Sequence, residues 1–77
     1  MVEAIVLVQV KPGASWAVAQ AIDEIDGVTE AVAVAGPYDV IARAEADTLE
    51  ELGPSIVSNI QAVDGVTRTL TCPVLSL

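Results

Sequence analysis

The chain has no histidine and no phenylalanine, one cysteine, one tryptophan, one tyrosine and only three cationic side chains among its 77 residues. Each shortage excludes something. Without histidine the chain lacks the side chain that titrates near neutrality and most often serves as a general acid or base. A single cysteine, Cys72, cannot close a disulfide within the chain, and no Cys/His cluster or C-x-x-C pair is present to hold zinc or carry a soft metal. Lys11, Arg43 and Arg68 stand against eleven acidic residues, a net charge of −8. Such a surface repels phosphate backbones and anionic membranes, so direct binding of nucleic acid or lipid is not expected; the acidic balance serves solubility. No apolar run approaches the roughly 20 residues that cross a bilayer. The N-terminal apolar run carries Glu3 and no basic flank, unlike a secretion signal, so a cytoplasmic location is expected. There is no glycine-rich phosphate loop. Asp23, Glu24, Glu50 and Glu51 fall on solvent faces of expected helices, and Cys72 reads as a small buried hydrophobe. The chain is poorly equipped as an enzyme, and no cofactor or metal is expected.

What the chain has in abundance is aliphatic side chain: 53% of the residues are hydrophobic. A domain this small buries only about 60% of its unfolded surface and needs reinforcement, which self-association can supply. The first segment says where. Residues 2–10, VEAIVLVQV, read as a strand with Val2, Ala4, Val6, Val8 and Val10 on one face and Ile5 and Leu7 on the other. Helices of the same chain can cover one face, but the other calls for a second sheet from a second subunit.

After the break at Lys11-Pro12-Gly13, Ser15 suits an N-cap for a helix over about 16–25, with Trp16, Ala19, Ile22 and Ile25 as its buried stripe. Asp26-Gly27 ends it. Residues 28–35 form a strand with Val28, Val32 and Val34 on one face, and residues 39–46 form the next. Thr48-Leu49-Glu50-Glu51 fits a capping box opening a helix to about 62, with Leu49, Leu52, Ile56, Ile60 and Val63 inward. Gly53-Pro54 should kink it. Asp64-Gly65 leads into a last strand over 66–75, and Pro73 places that strand at a sheet edge or makes its end irregular. The segments 25–34 (IDGVTEAVAV) and 63–72 (VDGVTRTLTC) share Asp-Gly-Val-Thr and each closes a strand–helix–strand unit. Two such units give a β-α-β-β-α-β order, an α+β ferredoxin-like plait with a four-stranded antiparallel sheet, in one domain over residues 1–77.

Three polar features remain: the turn Gly36-Pro37-Tyr38-Asp39, the row Thr67, Thr69 and Thr71, and the pair Ser55 and Ser58. Each has an ordinary structural reading in a turn, strand or helix. Together they supply N–H groups, a phenol, a carboxylate and hydroxyls, which suit a small zwitterion bonded at both ends.

The strand end Val8-Gln9-Val10-Lys11-Pro12-Gly13, a helix, DGVTEAVAVAGPYDV, a second helix and DGVTRTLT together resemble the effector domain of the Lrp/AsnC transcriptional regulators, the RAM (regulation of amino acid metabolism) domain. The resemblance implies dimers formed by sheet packing, assembly of dimers into rings, often octamers, and amino-acid effectors in clefts between dimers. It places Gly36, Pro37, Tyr38 and Asp39 at the rim of that cleft and matches Thr69 and Thr71 to its strand threonines. It sets Ser58, with Ser55 as the alternative, where some members carry an acidic contact to the ligand. The helix-turn-helix DNA-binding domain of full-length members has no counterpart in these residues, which resemble the stand-alone RAM form or an effector domain separated from such a protein. The expected function is an amino-acid-binding oligomerisation module acting on transcription indirectly, alone or co-assembled with full-length relatives. The rivals are a purely structural partner without ligand and a small dimeric α+β barrel enzyme.

Overall fold

The computed structural model describes residues 1–75. Four strands, β1 (Val2–Val10), β2 (Val28–Ala33), β3 (Val40–Ala46) and β4 (Val66–Pro73), form one antiparallel sheet in the order β2-β3-β1-β4. Helix α1 (Ser15–Asp23) connects β1 to β2, and a π-helical segment, Glu51–Val57, runs into α2 (Ser58–Gln61) before β4. This is the expected ferredoxin-like α+β plait. The strand most apolar on both faces, β1, takes a central place.

The core lies between one sheet face and the helices. Ala4, Val6 and Val8 of β1 and Val40, Ala42 and Ala44 of β3 are fully buried against Val18, Ala19, Ile22, Leu52, Ile56, Val57 and Ile60. The shared Asp-Gly turns lie at matching joints. Gly27 and Gly65 have φ of +95° and +99°, where residues with a Cβ are strained. A Cβ on Gly27 would also collide with Ile56, and one on Gly65 would come within 3.1 Å of Val18.

Several local expectations change. Trp16 is 82% exposed; Val18, Ala19 and Ile22 make the buried stripe of α1 instead. A spacing of three falls short of the 3.6-residue turn, so the series 16, 19, 22, 25 drifts around the helix and its first member leaves the core. Leu49 is exposed as well, and Val57 is buried in its stead. Pro54, which cannot donate to the preceding turn, sits in the π-helical stretch whose wider winding re-phases the stripe. The N–H of Glu51 does donate to Thr48 Oγ1 at 3.2 Å, as a cap should. At α1 the expected cap fails: Ser15 is the first helical residue, and Ala14 stands at the cap position. In β2 the register slips between Val28 and Glu30, so Val28 faces the helices while Val32 faces away with Ile41. A bulge of this kind reverses the alternation beyond it.

The second sheet face carries no helix. Across it run Val32, Ile41, Leu7 and Leu70, with Ile5 and Cys72 in the next row. Ile5, Leu7 and Ile41 are half-buried and Leu70 is 45% exposed. Cys72 is exposed there rather than buried, because it alternates with Thr71 and so shares the face of Leu70. At one corner Glu3 and Glu45 stand opposite each other on β1 and β3, and Arg43 Nη1 lies 3.9 Å from Glu3. The Glu45 carboxyl titrates above its usual range through a hydrogen bond shared with Glu3, partial loss of hydration and the Glu3 charge, with Arg43 pulling the other way.

Candidate functional site

The loop between β2 and β3 is pinned to the end of β1. Val34 N–H donates to Asp39 O at 2.9 Å, and Asp39 N–H donates to Val8 O at 2.8 Å. The Asp39 carboxylate then accepts the N–H of Val10 through Oδ2 at 2.8 Å. The last pair of β1 with β3 is Val8 with Val40, and beyond it the side chain fills the place on that edge of β1 that a backbone carbonyl would otherwise take. The Gln9 amide donates to Pro37 O at 3.1 Å. Tyr38 and Asp39 are half-buried; Gly36 and Pro37 are exposed. Asp39 is thus first of all a backbone ligand. A carboxylate has about four acceptor positions, and Val10 uses one.

Thr69 and Thr71 pair with Val8 and Val6, so both sit on the helix-facing side of β4. Thr67 falls at the register shift and leaves that row. Thr69 Oγ1 accepts a hydrogen bond from Gln61 Nε2 at 3.0 Å. Gln61, Val66, Thr67, Arg68 and Thr69 line a hollow of about 280 Å³. Because Val8 bonds Asp39 on one side and pairs with Thr69 on the other, those two residues lie two strand spacings apart, about 10 Å. Ser58 is exposed on α2, one turn before Gln61. Ser55 goes elsewhere: it lines a hollow with Asp26, Gly27 and Glu45 at the opposite end of the sheet. The fold therefore gathers the 36–39 loop and Thr69 toward one end, adds Gln61 to them, carries Thr71 farther along β4, leaves Ser55 at the other end and sets Ser58 on the helix one turn from each of Ser55 and Gln61.

Two features escaped the sequence reading. Gln61 is a polar residue near a helix end, and only its partner Thr69 distinguishes it. The second is a groove of about 470 Å³ between α1 and β2, lined by Trp16, Ala19, Gln20, Asp23, Ala31, Val32 and Ala33. Its signal was the lone tryptophan, which helical spacing had assigned to the core. Among the described residues no group of three or more His, Cys, Asp and Glu could hold a metal ion, and no helix is long and apolar enough to cross a membrane.

Comparison with known proteins gives a consistent result. The family model for the Lrp/AsnC ligand binding domain matches residues 3–77. A homocitrate synthase of Sulfurisphaera tokodaii is 42% identical over 59 residues, covering 77% of this chain and 13% of the synthase. An uncharacterized HTH-type transcriptional regulator of Pyrococcus furiosus is 35% identical over 54 residues, covering 70% of this chain and 36% of the regulator. The chain thus spans only a small part of the curated relatives it matches. A solved structure from Thermus thermophilus superposes with a TM-score of 0.89 at 32% identity, covering 100% of this chain and 96% of that one.

Proposed function

The chain belongs to the Lrp/AsnC family of ligand-binding domains, and we propose that it is a regulatory module that binds a small amino acid between associated subunits. The observation that supports this reading is the end of the sheet that holds Asp39 on one side of β1 and the bonded pair Gln61 and Thr69 on the other. A free amino acid has a cation and an anion about one residue apart. The part of the Asp39 carboxylate not engaged by Val10 suits the ammonium group. The exposed backbone around Gly36, together with the Thr69 hydroxyl and the Gln61 amide, suits the carboxylate. Tyr38 closes over the aliphatic part or packs on a neighbouring subunit. Ser58, exposed one turn before Gln61, is the candidate second contact on the helix, whereas Thr71 and Ser55 have no direct part in the site.

The module assembles in this reading through the open sheet face, with Leu7, Ile41, Val32 and Leu70 meeting their counterparts in a second copy, and dimers associate further so that the 36–39 loops meet across subunits. The comparisons add support. Matching segments occur in a synthase and in an HTH-type regulator, so what those proteins share through this segment is neither one chemistry nor one DNA contact. In this reading the shared segment is the effector-binding module. With a charge of −8, this chain influences transcription through its associates and not by touching DNA.

Isothermal titration of the assembled protein with each common amino acid tests the reading. One or a few should bind, and Asp39→Asn should weaken them at least ten-fold at unchanged assembly mass, because asparagine keeps an acceptor for Val10 but loses the charge. Silence across the whole set would overturn amino-acid sensing. It would favour the second reading, a structural partner without ligand, for which the Asp39–Val10 bond alone is sufficient reason to have Asp39.

A further inference from the structure

The groove between α1 and β2 has no part in the proposed effector site. Its floor is an open strand edge. Strand β2 is terminal in the sheet, and the bond from Val34 N–H to Asp39 O fixes the phase of its pairing with β3. In an antiparallel ladder that phase turns the N–H and C=O of Ala33, and of Ala31 two residues earlier, away from β3 and toward the empty side. The same two alanines line the groove, and their small side chains leave it open to a depth set by Ala19. Its rim is the indole of Trp16, 82% exposed, with Gln20 and Asp23 in successive turns of α1. An edge strand beside a helix-walled trough is the geometry in which an extended peptide adds as a further strand and sends alternate side chains into the trough.

We propose that this groove receives an extended, basic peptide segment from another protein, which adds to β2 as a fifth strand. Charge selects the occupant. The groove holds Asp23 and none of Lys11, Arg43 or Arg68, with Glu24 next to Asp23 at the end of α1. A second copy of this chain pairing edge to edge would bring those acids against their own kind on two chains that each carry −8. A lysine or arginine entering the groove instead meets the Asp23 carboxylate and can lie across the indole face of Trp16. Exposed tryptophan beside a cleft is also the residue type that most often dominates protein contacts. The opposite edge, β4, is guarded by Pro73 and Arg68. The open edge is the acidic one.

The test uses two nine-residue peptides of alternating lysine and valine, one ordinary and one N-methylated at every residue so that neither strand edge can donate to β2 while charge and side chains are kept. Trp16 is the sole tryptophan, so its emission reports the groove directly. The ordinary peptide should bind saturably, shift Trp16 emission to the blue and perturb the amide resonances of Ala31 and Ala33 most strongly. The N-methylated peptide should bind at least ten-fold more weakly, and Asp23→Asn should weaken the ordinary peptide several-fold. Equal binding of the two peptides would reduce the effect to unspecific charge attraction and overturn the proposal. So would amide shifts centred on β4 or the open sheet face, or no binding up to millimolar peptide.

Discussion

The two faces of one sheet behave as different proteins. Toward the helices, Ala4, Val6, Val8, Val40, Ala42 and Ala44 have no exposed surface, and no polar side-chain atom among the described residues is buried without a partner. On the other face, the same strands present Ile5, Leu7 and Ile41 half-buried, with Leu70 and Val32 more than 40% exposed. The side chains on the open face are the larger ones. Small residues on the helix side let two helices settle closely on the sheet, whereas the larger aliphatics opposite have nothing within the chain to fill against. Fully burying one such side chain is worth about 1.5–3 kcal/mol, so an open face with five of them has several kcal/mol still to gain. A strand with two apolar faces belongs to two cores, and this chain supplies only one.

The contrast can be broken from either side. The largest effect should come from the finished core: Ile22→Ala or Ile60→Ala, both fully buried, should cost about 2–5 kcal/mol in urea unfolding, a large share of a small domain's stability. On the open face Ile41→Asp should leave the far-UV circular dichroism of the folded chain in place while weakening self-association at least a hundred-fold by analytical ultracentrifugation. Equal unfolding by both kinds of change would erase the distinction. Next comes the loop that bridges the strands. Asp39→Ala orphans the Val10 N–H and should cost about 1–3 kcal/mol in thermal melts, whereas Asp39→Asn, which keeps an acceptor, should cost less.

The smallest effect lies at the acidic corner of the open face. The Glu45 carboxyl binds its proton more tightly in the folded state than its ordinary value of 4.5. The folded state therefore holds more protons across the interval above that value, and stability falls as pH rises through it. Glu45→Gln should flatten this dependence and leave the protein slightly more stable at neutral pH, as denaturation midpoints between pH 4 and 7 would show. A wild-type stability that rises over the same interval at this site would contradict the pairing with Glu3.

Much of this was legible in the residues. The double apolar pattern of 2–10 announced a strand whose second face the chain's own helices would leave uncovered, and the repeated Asp-Gly-Val-Thr placed both helix exits. Of the strand threonines, Thr69 lies at the end of the sheet that carries the Gly36–Asp39 turn. What the sequence concealed was mostly phase. A three-residue spacing put Trp16 in the core that Val18 occupies, and the slip after Val28 exchanged the faces of β2. Thr67 left its row through the register shift near Val10. Ser55 turned out to line a hollow at the far end of the sheet from the Gly36–Asp39 turn, which its place in a helix could not show. Gln61 could not stand out before its partner across the fold was known. Periodicity finds elements; bulges and winding decide which way their side chains face.

Whether the open face is a second core is tested most directly by the solution mass of the unliganded protein, measured by light scattering across micromolar concentrations. A subunit of 7.9 kDa should be found as a dimer or a higher even multiple throughout. A stable monomer of 7.9 kDa at those concentrations would contradict it.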